Sequence, residues 1–339
     1  MQTGLASRAK LERLSADHAA EAADLLNRTW PALYGETGCP VFSEAYLRWL
    51  YGGPDQDRHL ILGHRVDGAL VALKAYLYRR LSDGARGYDA HVATHLAIDP
   101  GLDFGARIAL ASALAELHPI DPDGAFRAAA PADVSLAYFE AGKALARSVK
   151  GLAKTRSIAG EEFEFNQAVV APHKALKAAG EAEDATIRAM TQADAPALLA
   201  HMRARSCAVK MDPDPAALWR HIADAPGALA LVAERAGAPV GFIAAYRLDW
   251  IKDDQQTRSI VAEFAIGDDP GSLAALLVRA LDHAKAENAR GIVLDNTTYL
   301  DENTARSAGI LPMPKRMFAV LRGVRPPPSL QGGFLIDVK

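Results

Sequence analysis

The amino-acid sequence predicts an α/β (α+β) protein with two similar units in tandem, each a mixed, mostly antiparallel sheet with helices on both faces. Apolar runs joined by a glycine-containing tight turn occur twice, at residues 60–81 and 229–248, which is typical of β-hairpins. Each hairpin is followed by a strand that ends near a proline, Pro100 or Pro270, and then by a segment with helical spacing. A hairpin that feeds a strand–helix–strand unit indicates a mixed sheet covered by helices.

The segments upstream of the hairpins also correspond. Each has a short strand, a Ser or Thr cap region and an amphipathic helix. The repeat predicts a first unit at residues 1–170, a second unit at 186–323 and a tail at 324–339. Residues 171–185 are rich in Ala, Glu and Lys and are predicted to be the linker.

The bulk properties of the chain indicate a globular protein. It has 339 residues, of which 50% are hydrophobic and 23% charged, so two domains with sizeable cores are expected. The net charge of -3 gives no reason to expect a nucleic acid or an anionic membrane as partner.

Cysteine usage and the N-terminal composition predict a cytoplasmic protein. Cys39 and Cys207 are far apart in the sequence and fit neither a disulfide scaffold nor a metal cluster, so no metal is expected. The N-terminal residues lack the apolar core of a secretory signal, and no apolar stretch approaches the length of a membrane span.

Several segments, repeated in the same order, resemble the GNAT superfamily of N-acyltransferases. They are "LALVAERAGAPVGFIAAY", "LAIDP", and the pair "DVSLAYFEAGKAL" and "DENTARSAGI". The resemblance covers about residues 10–170 and 186–322 and implies tandem GNAT-like domains. It also implies transfer of an acyl group from acyl-coenzyme A to an amine. We expect acetyl-CoA, or another acyl-CoA, as co-substrate and the amine of a small molecule as acceptor.

In the GNAT family a loop with the pattern R/Q-x-x-G-x-G/A binds the diphosphate of coenzyme A at a helix N-terminus, where backbone N–H groups favour anions. In the first unit Phe104 stands where the family has Arg or Gln, and Arg107 where it has glycine. Asp103 adds a negative charge. Arg107 either pairs with a phosphate or is an ordinary solvated side chain. The resemblance implies the cofactor-binding residues Leu96, Ile98, Gly105, Ala106, Arg107, Ile108 and Ala109.

The second unit departs further from this pattern. Its loop from Gly267 to Ser272 is short, and Asp268 and Asp269 place negative charge where phosphates would bind. An ordinary helix start with an Asp or Ser cap and Pro270 in the first turn explains this segment equally well.

Tyr138 is the first candidate catalytic residue. The resemblance places it on a helix, four residues before Gly142, where many family members carry the tyrosine that protonates the leaving thiolate. Ala305 is its counterpart in the second unit, which therefore lacks this role. The alternative is that Tyr138 packs on the sheet.

His95 and Glu263 are the candidates on the strand before the loop. His91 and His95 are an even number of residues apart, so they are predicted to share a face of the strand. His95 is then placed to take a proton from the amine, or it is structural. Glu263 lies in an apolar strand, where burial would raise its pKa toward that of a base. The alternative is an ion pair with Arg247 or Arg258.

Acceptor recognition is expected from an aromatic-rich segment of the first unit, although aromatic residues at helical spacing are usually core. This segment contains Trp30, Tyr34, Phe42, Tyr46, Trp49 and Tyr51. Two other functions stay open. One is a Fem-type aminoacyl-tRNA-dependent peptidyltransferase, which the lack of a basic stripe disfavours. The other is a non-catalytic GNAT-like ligand-binding protein. A homodimer is compatible with the sequence, but nothing in it requires one.

Overall fold

A computed structural model describes residues 11–34, 38–116, 132–140, 160–180, 185–323 and 329–336. The helices are α1 Ala19–Tyr34, α2 Glu44–Tyr51, α3 Phe104–Glu116, α4 Pro172–Gly180, α5 Ala195–Ala204, α6 Pro215–Ala223, α7 Pro270–Ala286 and α8 Glu302–Ser307. The strands of the first half are β1 Glu12–Arg13, β2 Cys39–Val41, β3 Leu60–Val66, β4 Ala69–Ser82, β5 Gly87–Ile98, β6 Val134–Glu140 and β7 Gly160–Val170. Those of the second half are β8 Thr186–Ala189, β9 Val209–Met211, β10 Leu229–Arg235, β11 Ala238–Lys252, β12 Gln255–Gly267, β13 Ile292–Leu294, β14 Ile310–Gly323 and β15 Phe334–Leu335.

Local sequence explains where the elements begin and turn. Both predicted hairpins are confirmed, as β3–β4 and β10–β11, and the turn of each contains a residue pair with positive φ that ends in glycine. Helix α2 begins after Ser43, whose hydroxyl accepts a hydrogen bond from the Tyr46 N–H at 3.1 Å. Helix α7 begins in the same way after Asp269, whose carboxylate accepts from the Ser272 N–H.

The described strands form one mixed, mostly antiparallel sheet that runs through both units. Its main path is β1-β3-β4-β5-β6-β14-β7-β13-β12-β11-β10-β8. Strands β5 and β6 are parallel, as are β12 and β13. The last long strand of each unit is exchanged: β14 pairs with β6 of the first unit, and β7 pairs with β13 of the second. Each unit therefore completes the sheet of the other.

The segment predicted to link the units contains an ordered, packed helix, α4. Its Ala175 is fully buried. Gly309, just before β14, has a φ of +88°, and a Cβ atom there would lie 2.7 Å from the Ala175 backbone nitrogen. The connection is thus held tightly against the start of β14.

Among the described residues, at least two hydrophobic cores join the units. One contains Val92 and Leu136 of the first unit together with Phe242 and Phe264 of the second. The other places α1 and α2 against Tyr246 of β11. Because both cores cross the boundary, removal of either unit would expose apolar surface. No helix within the described ranges is both long and apolar enough to cross a membrane.

Candidate functional site

Each unit contains a β-bulge that is followed by a gap between two parallel strands. The bulge of β5 falls at Thr94 and His95, and the bulge of β12 falls at Glu263. Pairing with the parallel neighbour stops just before each bulge, at Ala93 and at Ala262. We call the space beyond these residues the first gap, between β5 and β6, and the second gap, between β12 and β13.

The edge of β5 presents backbone hydrogen-bonding groups to the first gap. The Asp99 N–H donates to the Val71 carbonyl of β4 at 2.8 Å. Because the antiparallel ladder alternates, the N–H and C=O groups of Leu96 and Ile98 point away from β4, into the gap. The Trp30 indole Nε1–H donates to the Leu96 carbonyl at 3.0 Å. An extended ligand in the first gap would meet the N–H and C=O groups of Ile98 as an added strand.

Helix α3 begins close to this edge, as the sequence predicts. The Asp103 carboxylate accepts a hydrogen bond from the Ala106 N–H at 2.9 Å and so occupies one of the first amide groups of the helix. Phe104 and Ile108 are exposed, by 69% and 51%, which is unusual for such large apolar side chains. The buried Nε of Arg107 has no hydrogen-bond partner within the described part of the chain.

His95 is buried at the bulge, among aromatic side chains. Its Nδ1 lies 2.8 Å from the Tyr51 hydroxyl oxygen, and its ring centroid lies 4.8 Å from that of Phe42 and 6.1 Å from that of Trp30. The Nε2 atom is buried with no hydrogen-bond partner among the described residues. Burial lowers the pKa of His95 to about 3, so the imidazole is neutral at physiological pH.

The prediction that His91 and His95 share a face is wrong. The bulge adds one residue to β5, and this shifts the alternation of side chains by one position. His91 is paired with Tyr78 and donates from Nε2 to the Arg58 carbonyl at 2.9 Å. It lies on the face that α3 covers, whereas His95 faces α1 and α2.

The prediction that Tyr138 lies on a helix is also wrong. Residues 134–140 form strand β6, because apolar side chains alternate there and the backbone pairs with both β5 and β14. The rest of that predicted helix lies outside the described residues. Tyr138 is therefore not the counterpart of Ala305, which does lie on a helix, α8. Instead, Tyr138 is the first residue of β6 beyond the last pair with β5, so its backbone borders the first gap. Its ring packs against Phe165 of β7 and Phe334 of β15, which is the packing on the sheet that the alternative predicted.

The second gap is filled by protein. The Ala265 N–H, which points into it, donates to the Tyr299 hydroxyl oxygen at 3.0 Å. Arg205 donates to the Gly267 carbonyl at 3.2 Å. Helix α7 lies so close to the end of β12 that a Cβ on Gly267 would be 2.7 Å from the Leu273 Cβ. The edge of β12 at the second gap is therefore already hydrogen-bonded by side chains of the protein itself.

Replacement of Tyr299 by phenylalanine is expected to destabilise the protein. The Ala265 N–H would keep its buried position and lose its acceptor, which costs about 1–3 kcal/mol of the free energy of unfolding. Urea denaturation measures this loss. Hydrogen exchange at Ala265 should become faster relative to its neighbours, and an unchanged rate would show that this bond does not hold the gap closed.

Glu263 forms a pair with a histidine and not with either predicted arginine. Its carboxylate lies 2.9 Å from Nε2 of His221 on α6, and the Glu263 side chain is only 5% exposed. Arg247 pairs with Glu287, and Arg258 with Asp249. The His221 ring stacks on Trp49 of the first unit at 4.8 Å. Glu263 thus belongs to a contact between the units, on the side of the second gap.

A cavity of about 380 Å³ lies beside this contact, between α2 and α6. Both units line it, and the lining includes Arg48, Trp49, Arg80, Arg220 and His221. Arg48 pairs with Glu44, and Arg80 with Asp89. Among the described residues, no group of three or more His, Cys, Asp or Glu side chains is placed to hold a metal ion.

Sequence reasoning missed the partners of these residues. Tyr51 and Trp30 belong to the aromatic segment noted above, but its pattern does not show that both meet His95 at a bulge. His221 and Tyr299 carry no local signal, because their roles depend on contacts 42 and 34 residues away in sequence.

Solved structures of an acyltransferase and of a probable acyltransferase have folds similar to this architecture. Two structures of Saccharomyces cerevisiae N-myristoyltransferase with bound myristoyl-CoA, one of which also contains inhibitors, superpose with TM-scores of 0.62 and 0.63 at 12% and 13% identity. The matches cover 95% and 99% of this chain and 80% and 88% of those chains. A probable N-acyltransferase from Enterococcus faecalis V583 matches with a TM-score of 0.52 and 12% identity, over 94% of this chain and 73% of that one.

These similarities confirm the GNAT-type fold that the sequence predicts. The chain therefore has a GNAT-type fold, with an architecture similar to that of N-myristoyltransferase. At this level of identity the comparison establishes the fold. No protein-family model and no curated protein sequence matches the chain.

Proposed function

We propose that the protein is an N-acyltransferase that binds an acyl-CoA in the first gap and transfers the acyl group to the amine of a small molecule. The difference between the two gaps carries this proposal. Ile98 of β5 directs its N–H and C=O into the first gap, whereas the corresponding edge of β12 is occupied by Tyr299 and Arg205. The N-myristoyltransferase of similar fold is bound to myristoyl-CoA, which supports an acyl-CoA as ligand.

The first gap suits the pantetheine arm of coenzyme A because its amide groups can pair with a strand edge. The diphosphate would then lie at the N-terminus of α3, where Arg107 supplies a guanidinium and the helix dipole favours an anion. Asp103 opposes this binding, so we expect a lower affinity than a site with an uncapped helix would give. Large side chains pack around His95 at the closed end of the gap, which favours a short acyl group such as acetyl.

The proposed reaction is acyl transfer. The amine nitrogen forms a bond to the thioester carbon, and the C–S bond breaks. Coenzyme A leaves as a thiolate with the bonding electron pair. Tyr138 borders the gap and is our candidate to protonate that thiolate; its hydroxyl gives up its own proton and is reprotonated by the proton that the amine loses, through water. Glu263 lies on the second gap, so this proposal gives it no catalytic role.

Replacement of Ile98 by proline is expected to weaken acetyl-CoA binding. Proline removes the N–H that faces the gap and leaves the hydrogen bonds between β4 and β5 in place. We expect an affinity about fivefold to tenfold lower, since loss of a hydrogen bond costs about 1–1.5 kcal/mol. Calorimetry with acetyl-CoA measures the effect, and myristoyl-CoA and coenzyme A in parallel experiments test the preference for a short acyl group.

Ile98→Val is the matched control because it keeps the N–H and most of the side-chain volume. It should bind acetyl-CoA like the wild type, and both variants should unfold at similar urea concentrations. If the wild-type protein does not bind acetyl-CoA, or if Ile98→Pro binds it normally, the proposal is wrong.

The cavity between α2 and α6 favours a second candidate function, binding of a small anion without catalysis. Arginines from both units line it, and guanidinium groups bind carboxylates and phosphates well. Thermal stabilisation by inorganic phosphate, lost in Arg220→Gln, together with no binding of acetyl-CoA would favour this function over acyl transfer.

A further inference from the structure

The buried pair of His95 and Tyr51 has a defined hydrogen-bond polarity. The Tyr51 hydroxyl is buried on α2 and lies 2.8 Å from the Nδ1 of His95. A buried phenol needs an acceptor for its proton, and a neutral imidazole offers one unprotonated nitrogen. Either direction leaves one donor without an acceptor among the described residues, but a phenol is the more acidic donor and an imidazole nitrogen the more basic acceptor, so donation from Tyr51 to Nδ1 is favoured. The proton of the imidazole is therefore on Nε2.

This arrangement leaves an N–H donor with no acceptor in the described part of the chain. Nε2 of His95 is buried and has no hydrogen-bond partner among the described residues. An unsatisfied buried donor costs about 1–3 kcal/mol, so folded proteins rarely keep one without a use. The surrounding rings, Phe42 and Trp30, offer it no oxygen acceptor on their side chains.

The position of His95 indicates which acceptor the donor serves. His95 is part of the β5 bulge, two residues beyond the last pair between β5 and β6, at the narrow end of the first gap. The next residue, Leu96, lies on the gap edge, where Trp30 bonds its carbonyl. An acyl thioester whose pantetheine arm follows this edge would bring its carbonyl oxygen to the narrow end.

We propose that His95 acts as a neutral hydrogen-bond donor to the thioester carbonyl through Nε2–H, and that Tyr51 is the positioning residue that fixes this tautomer. This inference rests on the proposed acyl-CoA site. It differs from the role predicted from the sequence, where His95 takes a proton from the amine. As the amine attacks, the carbonyl oxygen gains negative charge, and the fixed donor stabilises that charge without moving a proton.

The electrostatic surroundings favour a donor over a base. Burial among aromatic rings makes the protonated imidazole unfavourable, so His95 is a poor acceptor for the proton of an ammonium group. A neutral N–H donor requires no charge in this apolar place. Loss of one preorganised donor of this kind slows acyl transfer by about 100-fold to 1,000-fold.

The first test is independent of ligand binding. Nitrogen-15 NMR of the free protein distinguishes the two neutral tautomers of His95, and we expect the proton on Nε2. In Tyr51→Phe the two tautomers should become mixed, because Nδ1 loses its donor. A wild-type protein with the proton on Nδ1, or a tautomer that is the same in Tyr51→Phe, would overturn the proposal.

The second test uses the carbonyl stretch of bound acetyl-CoA labelled with carbon-13 at the carbonyl. Infrared spectroscopy should show a shift to lower frequency in the wild type, since the hydrogen bond weakens the C=O bond. The shift should be lost in His95→Leu and retained in His95→Gln, because the glutamine amide supplies an N–H donor but no base. In an acetyl-transfer assay with a panel of primary amines, kcat should fall about 100-fold or more in His95→Leu and much less in His95→Gln.

The outcomes separate this inference from the proposed function. If acetyl-CoA does not bind to the wild type, both are wrong. If it binds but its carbonyl frequency is the same in the wild type and in His95→Leu, the acyl-CoA site stands and the donor role is refuted. If His95→Gln loses as much activity as His95→Leu while both still bind acetyl-CoA, His95 acts as the predicted base instead. Urea denaturation of each variant shows whether it is folded.

Discussion

Gly333→Ala is expected to lower the free energy of unfolding by about 4 kcal/mol, a large effect for a single methyl group. Gly333 has a φ of +88°, which residues with a Cβ rarely adopt, and a Cβ there would clash with the Thr298 carbonyl oxygen. The backbone conformation alone costs about 1–2 kcal/mol. The clash adds more, because Thr298 has little room to move away.

Thr298 is held in place by several hydrogen bonds around the second gap. Its hydroxyl accepts from the Phe334 N–H at 2.9 Å and lies 2.8 Å from the Asn296 side-chain oxygen. Asn296 in turn donates to the Phe334 carbonyl at 2.7 Å. The fully buried Phe334 ring packs 5.2 Å from the Phe165 ring. A shift of Thr298 would therefore break bonds that fix the C-terminal segment and would expose Phe334.

Gly332→Ala is the matched control. Gly332 also has a positive φ, +97°, but a Cβ there would meet nothing within 4 Å. The free energy of unfolding of this variant should fall only by the cost of the backbone conformation, about 1–2 kcal/mol. Urea denaturation of both variants measures the difference. Equal losses would show that contact with Thr298 does not hold the segment.

The C-terminal segment also shows what the sequence does not reveal. It follows a run of prolines and was predicted only as a tail, yet Phe334 and Leu335 are buried in the core shared by both units. A two-residue strand that pairs with β9 is too short to produce a periodic pattern. Its location depends on Thr298 and Asn296, which are distant in sequence.

Local sequence patterns predicted the helices and hairpins well, because these elements are determined by residues that are close in sequence. The turns at Gly68 and Gly237 need positive φ, and the hairpins follow from them. The exchange of β7 and β14 between the units leaves no such signal, since a strand has the same alternation whichever neighbour it pairs with. The bulge at His95 also leaves no signal in the sequence. This bulge is the reason that His91 and His95 lie on opposite faces of β5, where the sequence predicted one shared face.

The candidate site was predicted in part. The sequence identified the strand edge at Leu96 and Ile98, the start of α3 and the residue His95, and these lie around one gap. It could not show that Tyr299 fills the second gap or that His221 pairs with Glu263, because both contacts join separate elements. The diphosphate-loop motif is degenerate in both units, so the sequence gave little basis for choosing the unit that binds a ligand. The backbone hydrogen bonds at the two gaps show how the units differ, because Tyr299 and Arg205 bond the strand edge in the second unit.

His95 should also make the stability of the protein depend on pH. Its folded pKa, about 3, is below the ordinary histidine value of 6.5, so between these values the unfolded chain binds more protons than the folded one. Stability from this group is therefore fully present above the unfolded pKa and is lost as the pH falls toward the folded pKa. From pH 7 to pH 5 the loss attributable to His95 is about 2 kcal/mol.

His95→Gln removes this titration and keeps a side chain that can accept from Tyr51. The free energy of unfolding of this variant should fall by about 2 kcal/mol less than that of the wild type over the same range, pH 7 to pH 5. His91, whose pKa is also lowered by burial, contributes in the same direction in both proteins. Comparison of the two curves therefore isolates His95. If the free energies of unfolding of the two proteins had the same pH dependence, the imidazole would be hydrated in solution. A hydrated His95 would be available as a base at neutral pH.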